Sequence, residues 1–121
     1  MRRRLRGAAV RDEGSVTVEA ALGIASLVVV LAIAAAGAAA ALTQIRVIDA
    51  AREAARVAAI SGVPDGLGAG RSAAPCAQVS VDGSGLQVTA VVVAPARGLP
   101  GVELRGRAVA QVEPGVAGAA G

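Results

Sequence analysis

The spacing of apolar positions changes three times along the chain. Residues 20–42 (AALGIASLVVVLAIAAAGAAAAL) carry no charge, and Ser26 is their one polar side chain. About 20 apolar residues in a helix cross a hydrocarbon core, so a membrane-spanning helix is predicted here. Its first half, with Leu27 to Leu31, is strongly hydrophobic; its second half is mostly alanine, a weak hydrophobe and an excellent helix former. Residues 43–60 (TQIRVIDAAREAARVAAI) continue without glycine or proline. Asp49 precedes Arg52 by three and Glu53 precedes Arg56 by three, which sets opposite charges side by side on a helix. Ile45, Ile48, Ala51, Ala55 and Ala59 trace an apolar stripe. Ser61-Gly62-Val63-Pro64 is a stop signal. One helix from about Val16 to Ile60 is expected, on the order of 65 Å long at about 1.5 Å per residue.

Beyond the stop, residues 62–75, rich in Gly, Pro and Ser, read as a flexible linker. The period then becomes two. Gln78, Ser80 and Asp82 alternate with Val79 and Val81, and Asp82-Gly83-Ser84-Gly85 signals a turn. Residues 86–93 (LQVTAVVV) follow as the second arm of a hairpin, and residues 95–101 form a longer loop. Residues 102–112 (VELRGRAVAQV) alternate again, with Arg105 and Arg107 on the polar face and Gly106 as a candidate bulge. The expected fold is therefore α+β: a long N-terminal helix followed by a small three-stranded antiparallel sheet. Such a sheet needs a cover for its apolar face, and the alanine-rich helix of residues 43–60 is the available one. The organisation reads as a leader (1–14), a transmembrane helix (15–42), an amphipathic extension (43–61), a linker (62–75), a β region (76–113) and a disordered tail (114–121).

Composition prunes the chemistry. Phe, Tyr, Trp and His are absent from the 121 residues, and Cys76 is the one cysteine. Transition-metal sites need several N or S ligands, so no metal or cofactor is expected. Without aromatic residues there is no stacking platform for single-stranded nucleic acid. Without histidine, and with no paired acids near a candidate pocket, no nucleophile–base–orienter set can form. An enzyme is not expected. All 12 basic residues are arginine, and five of them (Arg2, Arg3, Arg4, Arg6, Arg11) precede Gly14. The seven that follow balance seven acids, so the basic character belongs to the leader. That is a topology signal: it predicts a single-pass protein of the cytoplasmic membrane, N-terminus inside and C-terminal region outside, in contact with membrane lipid and not with nucleic acid.

The stretch RDEGSVTVEA, residues 11–20, sets a carboxylate, Glu19, at the mouth of the apolar run. A secretory signal peptide cleaved near Ala36 to Ala41 is one reading, although the apolar run is long for it. A plain, unprocessed anchor carrying an outside interaction domain is another; a carboxylate in a first helical turn is mildly favoured by the helix dipole. A third reading uses Gly14. Gly14, then Ser15, then Glu19, then an uninterrupted apolar helix resembles the processing site of type IV prepilins. The resemblance implies cleavage between Gly14 and Ser15 by a prepilin peptidase, at a glycine that leaves the backbone accessible. A lone carboxylate in the membrane costs about 2–3 kcal/mol, which pairing Glu19 with a neighbouring subunit's amine would offset while fixing register.

The stretches GSVTVEAALGI, IDAAREAARVAAISG and RAVAQVEPG together resemble the small TadE-like minor pilins or pseudopilins of the tight-adherence (Tad, Flp) type IV pilus system. The resemblance implies a role in pilus assembly or adhesion. It also implies other pilin subunits and a membrane assembly platform as partners, with incorporation into a cell-surface pilus. Gly23 and Gly37 are candidates for close helix packing between subunits.

Overall fold

The computed structural model describes residues 12–112. In chain order these form α1 (Asp12–Ser61), α2 (Val63–Ala73), β1 (Gln78–Ser84), β2 (Gln87–Pro95) and β3 (Glu103–Gln111). The expected leader, up to residue 11, and the expected tail lie outside the described residues. The architecture is the α+β arrangement the periodicity predicts: one long helix, then a three-stranded antiparallel sheet in the order β1-β2-β3.

The chain divides into two units, Met1–Ala35 and Ala36–Gly121. The described part of the first, residues 12–35, is all α1. From Gly14 onward every residue in it is exposed, including Leu27 at 58% and Ile33 at 68%. No part of its aliphatic surface is spent on a core.

The second unit holds the core. The C-terminal part of α1 buries Val47, Ala50, Ala51, Ala54, Ala55, Ala58 and Ala59, positions three or four apart that share one helix face. This corrects the expected stripe. Ala51, Ala55 and Ala59 belong to it, but Ile45 is 56% exposed and Ile48 only half-buried, while Val47 is the anchor. The physical reason lies in the partner surface. A sheet built from Val and Ala comes closest where the helix offers methyl groups, so alanines line the contact and the bulkier isoleucines fall outside it.

One sheet face meets this helix: Val81 of β1, Val88, Ala90, Val92 and Ala94 of β2, and the half-buried Leu104, Ala108 and Ala110 of β3. Val47 and Val92 are the largest side chains that are fully buried. Gly106 lies on the same face opposite Val92, and the β2–β3 register runs through it unbroken. The expected bulge is absent. Gly106 is glycine because a Cβ there would come within 2.6 Å of the Val47 carbonyl carbon and 2.8 Å of the Ile48 nitrogen. Helix backbone touches strand backbone at that point.

The expected flexible linker is a helix. Three glycines among the 11 residues of α2 weaken it by about 1 kcal/mol each relative to alanine, which is why the sequence reads as a loop. Two of them, Gly66 and Gly70, are buried one helical turn apart. A Cβ on Gly66 would meet the Ala58 side chain and lie 2.7 Å from the Ala54 carbonyl oxygen; on Gly70 it would lie 3.0 Å from the Ala54 Cβ and 2.7 Å from Val79 Cγ1. The glycines are the contact surface by which α2 lies against α1 and β1. Val63 and Leu67 add apolar cover to the same cluster. Pro64 in the first turn and Asp65 beside it suit a helix start, and Gly62, at φ 101°, makes the corner that the stop signal predicts.

The β1–β2 turn falls at Gly85-Leu86, with Gly85 at φ 60°, so Asp82 is a strand residue opposite Thr89 and not a turn residue. The β2–β3 loop, residues 96–102, is closed by the Ala96 amide donating to the Val102 carbonyl at 2.8 Å. Its Gly98, at φ 83°, approaches α1 so closely that a Cβ would sit 3.1 Å from Ala36 Cα.

Candidate functional site

Three surfaces are candidates for function, and the first is the apolar part of α1. Among the described residues, one helix near the N-terminus is long and apolar enough to cross a membrane. Gly14, Ser15 and Glu19 all lie in its opening turns, exposed, with the Thr17 hydroxyl donating to the Gly14 carbonyl at 3.0 Å. Gly23 and Gly37 are exposed as well, and apart from the helix's own adjoining turns no described residue comes within 4 Å of where a Cβ would stand. The Ser26 hydroxyl is turned back on the helix, donating to the Gly23 carbonyl at 2.8 Å. The five positions are strung along one helix and not gathered into a pocket.

The second surface is the sheet face turned away from the helices. Its middle is the half-buried strip Thr89, Val91 and Val93 of β2. Ser80 and Gln78 of β1 stand opposite Val91 and Val93 on one side, and Arg107 and Arg105 of β3 on the other. Alternation alone predicts this placement of the two arginines, and both are exposed. The edge of β3 is held by α1: the Gln44 side-chain amide donates to the Arg105 carbonyl at 3.2 Å. Glutamine at that position gives no sequence signal.

The third is a groove of about 260 Å³ in the second unit. It is lined by Thr43, Arg46 and Val47 of α1, by Ala73 at the end of α2 and residues 74–77 after it, by Ala94 and Pro95 of β2, and by Arg97 of the β2–β3 loop. Its lining is mainly apolar, its two charges are both guanidinium groups, and it holds no carboxylate. The Thr43 hydroxyl does not donate into it, since its proton goes to the Ala39 carbonyl at 3.0 Å. Cys76, exposed, lies on its wall. Sequence reasoning missed Arg46 and Arg97. A signal existed for Arg46, the first charge after the apolar run, but none for Arg97, which only the fold brings near.

The helix charges contribute little. Asp49 and Arg52 meet at 3.6 Å with both side chains largely exposed, and the expected Glu53–Arg56 pair is not among the ion pairs formed by the described residues. This is a solvated face, worth a few tenths of a kcal/mol at most by roughly the usual measure for such pairs.

Over 98 residues the chain is 47% identical to a protein of Mycobacterium tuberculosis named Apoptosis inhibitor Rv3655c, a match covering 80% of this chain and 78% of that protein. The chain belongs to the Rv3655c family. No protein-family model matches it, and no solved structure does. Family membership corrects the functional expectation drawn from Gly14, Ser15 and Glu19. A TadE-like minor pilin, with pilus assembly, adhesion and incorporation into a pilus, gives way to a family that includes a protein named as an apoptosis inhibitor. The reason for the error is physical. A basic leader, a small residue and one carboxylate ahead of an apolar helix also satisfy an ordinary membrane anchor, so the spacing does not separate a pilin from other anchored proteins.

Proposed function

We propose that this chain is an apoptosis inhibitor that acts by binding, not by catalysis, from a membrane anchor. The observation that carries it is the 47% identity to the Rv3655c protein across four-fifths of the chain. The geometry supports binding. The open sheet face combines an apolar strip, Val91 and Val93, with two exposed arginines held on a strand whose edge is pinned by Gln44. A partner surface carrying carboxylates beside apolar groups complements it, since arginine pairs with carboxylates in two parallel hydrogen bonds.

The anchor is the charge-free run of residues 20–42, which at about 1.5 Å per residue is on the order of 35 Å long and reaches across a hydrocarbon core of about 30 Å. The five arginines ahead of Gly14 favour a cytoplasmic N-terminus, leaving the sheet outside, within reach of a partner beyond the membrane.

The test is to express the full chain in cultured cells given an apoptotic stimulus and to measure effector-caspase activity. The expected result is lowered activity with the wild type and loss of that protection in Arg105→Glu/Arg107→Glu, at equal protein level. Unchanged caspase activity with the wild type contradicts the proposal. Full protection by the double variant contradicts the assignment to the sheet face.

A further inference from the structure

We propose that the groove between Arg46 and Arg97 seats the anionic phosphodiester head group of a membrane phospholipid. The proposal rests on the membrane-anchor reading and extends it to a defined lipid site. Three independent observations converge on it.

The first is the chemistry of the lining. Two guanidinium groups and no carboxylate select an anion, while Val47, Ala74, Pro75, Ala77, Ala94 and Pro95 favour an apolar body next to that anion. Guanidinium matches phosphate oxygens with paired donors. The volume, about 260 Å³, is smaller than the roughly 300–1,000 Å³ that encloses a drug-sized ligand. It takes part of a larger amphiphile: a head group and the start of its chains.

The second is level. Arg46 stands four residues beyond Leu42, the end of the charge-free run, or about 6 Å along the helix axis. Arg97 comes from a loop beside the last turns of that run, about 9 Å short of Leu42 along the axis at about 1.5 Å per residue. The next residue, Gly98, is packed against Ala36 of α1, so the loop that carries Arg97 lies beside the alanine-rich end of the apolar segment. Cationic side chains just outside a spanning segment are where anionic head groups are met.

The third is bare apolar surface on the two elements that carry the arginines. Leu42 and Ile45 of α1 are 58% and 56% exposed, and Leu99 and Val102 of the β2–β3 loop 38% and 43%. Both elements that carry the arginines thus also present bare aliphatic groups. A water-soluble phosphate would use the arginines and leave those groups unexplained. A lipid uses both.

The experiment reconstitutes the full chain in nanodiscs of neutral phosphatidylcholine containing one-fifth phosphatidylglycerol, and counts retained lipids by native mass spectrometry after release into mild detergent. The wild type should retain phosphatidylglycerol over phosphatidylcholine by on the order of thirtyfold, the factor two surface arginines supply. Arg46→Gln/Arg97→Gln should lose that preference, while Arg105→Gln/Arg107→Gln, which removes the same charge elsewhere, should keep it. Hydrogen exchange of the sheet amides checks that each variant is folded; should the double variant unfold, the single changes are read instead and each should lower the preference severalfold. Equal losses in both double variants would overturn the proposal in favour of undirected charge attraction. Displacement of the lipid by millimolar inorganic phosphate would overturn it in favour of a small-anion site, and equal retention of neutral lipid would overturn the head-group selection. Flotation with neutral vesicles distinguishes the underlying reading: a chain that does not float lacks the anchor, and the lipid site falls with it, whereas one that floats without preference refutes the site alone.

Discussion

The two parts of α1 follow opposite rules. In residues 14–35 the large aliphatic side chains (Val16, Val18, Leu22, Ile24, Leu27 and their neighbours) are all exposed. In the part that packs on the sheet, the buried positions are alanines with a single valine, Val47, and one threonine, Thr43. A helix in a water-soluble protein hides its largest apolar groups first. Here the largest stay outside and the smallest go in. The difference teaches that the two parts answer to different surroundings. The first leaves its apolar surface uncovered by the described residues, and the second trades side-chain bulk for close backbone contact with the sheet and with α2.

The largest expected effect would break the first half of that comparison. Leu27→Arg places a charge in the exposed apolar segment, which costs about 2.5–3.5 kcal/mol at a membrane centre. Carbonate-resistant membrane association should fall by about two orders of magnitude, while hydrogen-exchange protection of the sheet amides stays unchanged. The second half breaks at Gly106. Alanine there meets the backbone of Val47 and Ile48, which cannot swing aside, so destabilisation at the upper end of about 1–3 kcal/mol is expected. Far-UV circular dichroism should register a lower Tm; tryptophan fluorescence is no option, since the chain has none.

Two glycines of α2 sharpen the comparison further. Gly66→Ala presses on the Ala54 carbonyl and the Ala58 side chain, and the better helix propensity of alanine offsets only part of that, leaving a net loss of about 1 kcal/mol. Gly68 has open space, so Gly68→Ala should raise stability by about 0.4–1 kcal/mol. Chemical denaturation of the pair checks the opposite signs. The smallest effect belongs to the exposed Asp49–Arg52 pair: Asp49→Ala should change stability by less than about 0.5 kcal/mol in the same assay.

How much of this was legible in the sequence differs by element. The long helix, its end at Ser61, the three strands and the outward placement of Arg105 and Arg107 follow from period and stop signals, because those patterns are local. The helix α2 was not legible. Its glycines disfavour a helix locally, and only the contact with Ala54 and Ala58 makes them useful. The spacing of Gly66 and Gly70, one turn apart, was the available sign. Gly106 misled for a related reason, since a glycine in a strand marks either a bulge or a close approach, and the sequence does not choose between them. The groove was hidden altogether, as Arg46, Cys76 and Arg97 come from three separate segments. Function was the least legible part: Gly14, Ser15 and Glu19 are placed where an anchor's first turns also need small and acidic residues.

The central claim, that the exposed half of α1 and the packed unit stand in different solvents, can be tested with the chain's own chemistry. Cys76 is its sole thiol and is exposed. In intact cells, a membrane-impermeant maleimide should label wild-type Cys76, while the Ser26→Cys/Cys76→Ala chain should resist it until detergent dissolves the membrane. Labelling of position 26 as fast as position 76, without detergent, would put the apolar half in water and contradict the account.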